Sequence, residues 1–165
     1  MSEVALGHAL IHQLALPLTG LEEAAADGFA LFSTLNGPDG TGPALGGATL
    51  FDELALRQGA LTFEDYASDH PVVQQRIYNF ICYVVGSDPQ RLRNSLVVEG
   101  YLPEERAMMC PLAWAQLSYG WWTVLEPSLT AGFRAQGTQA RTQTRQQLTA
   151  EEQALQELLR QPRGQ

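Results

Sequence analysis

Residues 107–125, AMMCPLAWAQLSYGWWTVL, run for nineteen positions without a formal charge and hold all three tryptophans of the chain. A segment like this must be covered, either by lipid or by the rest of the protein. Its length suits a membrane span, for which about 20 residues suffice. Its content does not, because Pro111, Gln116, Ser118, Tyr119, Gly120 and Thr123 interrupt it, acids stand on both flanks and no positive cluster adjoins it. The expectation is a buried core helix. Trp114, Leu117, Trp121 and Leu125 fall on one stripe, with Tyr119 and Trp122 off it.

The rest of the chain reads as helices built to cover that one. Val4, Leu6, Leu10, Ile11 and Leu14 repeat at helical spacing up to Pro17. Thr19 and Glu22 have the form of a capping box opening a helix from Gly20 to Leu35. GPDGTGPALGG at 37–47, with five glycines and two prolines, reads as a surface loop; it lacks the GxGxxG or terminal Gly-Lys-Ser/Thr of a phosphate cradle.

A short helix from Thr49 to Gln58 and a turn at Thr62–Asp65 are expected next, then an apolar helix opening at Asp69 and Pro71 and stopped by Gly86. Ser87 should cap a further helix that closes at Gly100. Pro111 should divide a short lead-in helix from the tryptophan helix. Residues 134–147 are polar and lean towards helix, a second capping box at Thr149 and Glu152 opens a terminal helix, and the last five residues should fray. No strand signal competes, and 165 residues suit a single domain. The predicted fold is all-α: a compact bundle of about six to eight helices, with an acidic part (1–70), an apolar part (71–126) and a polar tail with a terminal helix (127–165).

Charge narrows the partners. Ten acids precede Pro71 (Glu3, Glu22, Glu23, Asp27, Asp39, Asp52, Glu53, Glu64, Asp65, Asp69) against Arg57 alone, and the chain carries a formal charge of −8. Nucleic acid is excluded as a general partner, since phosphate contacts need a positive face. A basic protein segment suits the acidic part, and an oligomer is compatible with it. There is no lysine; all ten basic residues are arginine, as a GC-rich bacterial genome would give. Cys82 and Cys110 sit in apolar surroundings at no metal spacing, and no secretory leader is seen. Buried inert thiols in a reduced cytoplasmic setting are therefore expected.

His8 and His12, four apart, place both imidazoles on one helix face, as metal chelation requires, and His70 would be a third ligand near Asp69 or Glu3. There is no HExxH and no Glu-x-x-His on paired helices, so solvated histidines are the plainer reading. Cysteine catalysis would need His70 and Asp69 beside a thiol, and the adjacent acids Asp52-Glu53 and Glu64-Asp65 point in different directions on a helix.

No catalytic residue is assigned, and no cofactor beyond a divalent metal on the histidines. The leading reading is a small acidic cytoplasmic protein that binds another protein, as a chaperone, adaptor, immunity factor or assembly subunit. Its candidate partner surface is Tyr119 and Trp122 together with Glu22, Glu23 and Asp27. The alternatives are a helical metal- or cofactor-dependent enzyme using His8, His12 and His70, and a structural subunit of a viral or membrane-associated assembly.

Overall fold

A computed structural model describes residues 2–37 and 40–160. Pro38 and Asp39 of the expected loop, and the last five residues, lie outside the described residues. The described chain is all-α, with nine α-helices and no strand. In order these are α1 (Ser2–Gln13), α2 (Glu22–Leu35), α3 (Thr41–Gln58), α4 (Phe63–Ala67), α5 (Val73–Ser87), α6 (Pro89–Leu96), α7 (Glu104–Ala107), α8 (Cys110–Leu125) and α9 (Ala131–Arg160). The count exceeds the six to eight expected because α4 and α7 are single short turns of helix. None of the described helices is long and apolar enough to cross a membrane.

The core forms around α5 and α8. Phe80, Ile81, Val84 and Val85 lie on one side of α5 and pack with Leu31, Ala44, Ala48, Leu92 and Leu102. A second cluster joins Ile11 of α1, Phe29 and Phe32 of α2 and Trp121 of α8. Phe29 meets Trp121 edge-on with ring centroids 5.0 Å apart, a geometry worth roughly 0.5–1.5 kcal/mol beyond area burial. Trp114 and Trp121 are both buried, as their shared stripe predicts.

Several glycines and caps behave otherwise than their sequence context suggests. The glycine-rich run does not stay a loop: α3 begins at Thr41 and carries Gly42, Pro43, Gly46 and Gly47 within it. Pro43 falls in the first turn, where its missing donor is harmless. Ala44 and Ala48 are buried, and a Cβ on Gly47 would come within 3.0 Å of the Phe80 ring, so close packing outweighs poor helix propensity.

Gly86 does not stop α5 but lies buried inside it, where a Cβ would collide with the carbonyl of Cys110 and reach 2.8 Å from the Trp114 Cβ. The next helix is capped by Asp88, whose carboxylate accepts from the Arg91 amide, while Ser87 Oγ donates back to the Val84 carbonyl. Gly100 does close that stretch, with φ +87°. At α4 the expected turn at Thr62–Asp65 is a short helix opened by a capping box between those two residues.

The approach through Gly86 brings Cys82 and Cys110 together, and they form a disulfide between α5 and α8 with both residues fully buried. The expected free thiols are therefore corrected, and no cysteine among the described residues is free to act as a nucleophile. The two anticipated C-terminal helices are one: α9 is continuous for 30 residues, and Thr149 bonds back to the Arg145 carbonyl rather than capping a new helix. It rests chiefly along α8.

Candidate functional site

α1 and α2 meet through their smallest side chains. Gly7 faces Ala26 so closely that a Cβ there would lie 3.0 Å from the Ala26 backbone. Ile11, one turn on, is buried beside it. The segment between Gln13 and Glu22 folds α2 back on α1, and this sets the first turn of α2 against the histidine face of α1.

Glu22 is consequently not a capping residue, since α2 has no side-chain cap. Its Oε1 instead lies 2.8 Å from His8 Nδ1 and 2.9 Å from His12 Nε2. Glu23 Oε1 lies 3.2 Å from His70 Nε2 and 3.5 Å from His8 Nε2, and Asp69 Oδ1 holds the other His70 nitrogen at 2.7 Å. All three histidines thus converge on two adjacent carboxylates.

Behind them Asp27 is buried, 6% exposed, and accepts two parallel bonds from Arg76, Nε and Nη2 each at 2.7 Å. This pair anchors α5 beneath α2 in the bidentate geometry that makes arginine–carboxylate contacts strong. Arg76 also approaches Glu23 at 4.0 Å. The hydrogen bond to His8 holds the Glu22 carboxyl below the usual glutamate value of 4.5; partial desolvation opposes this, and the charge of His12 adds to it.

In type, these donors suit a transition metal: two imidazoles and a carboxylate are a known zinc set. In arrangement they do not fit one. Glu22 Oε1 already sits between His8 Nδ1 and His12 Nε2, and among the described residues no group of three or more His, Cys, Asp or Glu side chains is placed to hold a metal ion. The HExxH motif of helix-borne zinc hydrolases puts a carboxylate directly after the first histidine as general base. In this chain Ala9 follows His8, and taking His8 as the second histidine instead puts Val4 and Ala5 where the motif has its first histidine and its glutamate. The site can exchange protons between imidazole and carboxylate, and neither placing of that motif on the chain puts a carboxylate next to its first histidine position.

The residues expected to face a partner divide. Glu22 and Glu23 are partly exposed but engaged by the histidines. Asp27 is buried against Arg76 and cannot present its charge outward. Trp122 packs edge-on against Phe32 with centroids 5.1 Å apart and is covered from the other side at Gly137 of α9. Arg145 of α9 lies over the Tyr119 ring at 5.3 Å. Both rings are half-buried, each covered in part by the chain itself.

Sequence reasoning missed Arg76 and the Glu22–histidine contacts. The signal for the latter was present, because a short reversal after an amphipathic helix sets the start of the next helix against it. Comparison with known proteins adds one result: no curated protein and no solved structure matches the chain, while one family model aligns with residues 4–125, about three quarters of its length. By that match the chain belongs to the DUF4344 family, whose description reads "Putative metallopeptidase".

Proposed function

We propose that this chain is a protein-binding module built on a metallopeptidase-family scaffold, one that holds another polypeptide and does not cleave it. The observation that carries this reading is Ala9 in the position where a hydrolytic histidine helix needs its glutamate. The carboxylates of Glu22 and Glu23 are held by the three histidines at the junction of α1 and α2. Peptide recognition and hydrolysis are separable, and a scaffold that has lost the general base can still bind its former class of substrate. Adaptor or chaperone roles follow from that chemistry. The Cys82–Cys110 disulfide favours an oxidising compartment over the cytoplasmic setting expected from sequence.

The test is a hydrolysis assay on the oxidised full chain with added zinc, using labelled casein as an unfolded substrate, alongside elemental analysis of untagged protein. The expected result is no turnover above blank and well under one metal per chain. Chelator-sensitive turnover that disappears in His8→Ala would overturn the reading in favour of a metal-dependent enzyme on His8, His12 and His70. Stoichiometric metal lost in the same variant, without turnover, would make the chain a metal-binding protein instead.

A further inference from the structure

Away from the histidines, a cavity of about 440 Å³ opens between α5 and α7. α5 contributes Gln75, Tyr78 and Asn79 to its lining, and α7 contributes Arg106, with Pro103 just ahead of it. The polar groups here are two amides, a phenol and a guanidinium, and no carboxylate lines the cavity among the described residues. The volume lies at the small end of ligand pockets, which run from about 300 to 1,000 Å³.

Arg106 stands apart from the other arginines. Arg76, Arg91, Arg93, Arg141 and Arg160 each meet a carboxylate. Arg106 is half-buried and meets none among the described residues, in a chain where acids outnumber bases by 18 to 10. Its Nη2 donates to Asn79 Oδ1 at 3.0 Å, and its remaining N–H groups have no partner among the described residues. Glu104, two positions earlier, is taken by Arg93. Tyr83 feels the guanidinium charge, but burial pushes its phenol up and keeps it neutral, so it offers no compensation. A guanidinium that has lost part of its water and has no counter-charge favours an anion that supplies one.

A single positive charge selects a monoanion. Glu104 and Glu105 adjoin Arg106 in the chain, and the formal charge of −8 repels a second negative charge, so a phosphate dianion is disfavoured. The planar fork of arginine matches a carboxylate, and the Gln75 and Asn79 amides carry N–H donors beside it. The Tyr78 ring, 46% exposed, and the Pro103 ring offer an apolar wall to the rest of the ligand.

We propose that this cavity binds a carboxylate with an apolar body, its oxygens paired with Arg106 and its carbon skeleton against Tyr78 and Pro103. The carboxylate belongs either to a small organic acid or to the C-terminus of a polypeptide. The site shares no residue with the histidine cluster and stands independently of the binding-module reading.

The probes are phenylacetate, phenylacetamide, phenyl phosphate, and acetyl-glycyl-glycyl-phenylalanine with its C-terminal amide. They are titrated into the oxidised full chain at about pH 7.5, where phenyl phosphate is mostly a dianion. NMR shifts of the Arg106 Nε–H and the Asn79 side-chain amide report the location. At least one acid should bind and move those signals, about tenfold or more tightly than its own amide and than phenyl phosphate. Arg106→Gln removes the charge and should weaken binding about tenfold or more. Gln75→Glu changes an exposed position, leaves the fold intact and puts a carboxylate in the wall, so it should do the same and decides the matter if Arg106→Gln does not fold.

Tighter binding of the tripeptide acid than of phenylacetate identifies a chain terminus as the source, and phenylacetate binding as tightly or more tightly identifies a small organic acid. No binding by either acid, equal binding by the amides or by phenyl phosphate, or binding unchanged in the folded variants overturns the assignment.

Discussion

Two helix pairs in this molecule come together through a glycine, α1 with α2 at Gly7 and α5 with α8 at Gly86, and they are then secured by opposite means. At Gly86 the contact is buried, apolar and closed by the Cys82–Cys110 bond. At Gly7 it is flanked by partly exposed imidazole–carboxylate pairs, which water and salt can weaken. The first pair should therefore carry the stability of the domain, and the second should respond to its surroundings. Functional surfaces are drawn from the less stable regions of a fold, so this division places any conformational adjustment at the histidine end.

The strongest way to break the comparison is to add a methyl at each glycine. Gly86→Ala sets a Cβ against the Cys110 backbone, which cannot yield, and should cost about 4 kcal/mol or abolish folding. Gly7→Ala meets the Ala26 backbone at 3.0 Å, and a helical alanine regains up to about 1 kcal/mol, so its cost should be at least about 2 kcal/mol smaller. Urea denaturation of both variants measures the difference, and equal losses would show that the two contacts are alike.

Next in size is the disulfide. Cys82→Ser with Cys110→Ser removes a cross-link between positions 28 apart in sequence and should cost about 2–4 kcal/mol. Reductant should destabilise the native chain comparably and leave the double variant unchanged. Denaturation midpoints that do not respond to reductant would mean that the bond is not formed in solution.

The smallest effect concerns pH. Because the folded-state value of Glu22 is depressed, its contribution to stability is complete above the usual 4.5 and is lost as pH falls from there through the depressed value. Glu22→Gln removes that titration, so its melting temperature should fall less steeply than that of the native chain below about pH 4.5. Parallel curves would sever Glu22 from the stability of the hairpin. A difference confined to alkaline pH would point to another group.

How far the sequence discloses the fold depends on whether a residue acts locally or across the core. The uncharged tryptophan stretch is legible because a segment of that length has few ways to be covered, and Trp114 and Trp121 lie buried where their stripe places them. Caps are less legible: the turn at Thr62–Asp65 is where the sequence places it, but Thr19, Ser87 and Thr149, which have the form of caps, do not cap a helix, because other partners compete for the same groups. Gly47 and Gly86 mislead, because in sequence a glycine that admits a neighbouring element looks the same as one that ends a helix.

Of the candidate site, the spacing of His8 and His12 is visible from periodicity alone, but the direction of Glu22 is not. Its choice between its own helix terminus and the histidines depends on how α1 docks. Asp27 and Trp122 look like surface anchors for the same reason: their partners, Arg76 and α9, are 49 and at least nine positions away.

The final helix also bears on competition. By lying along α8 and over Tyr119 and Trp122, α9 is a tethered occupant of that aromatic edge, present at the effective concentration of an intramolecular neighbour, on the order of millimolar for a short connection. A free protein seeking the same edge would have to outbid a rival that never diffuses away. The part of the edge under the helix is therefore open only to a ligand that can lever the helix aside.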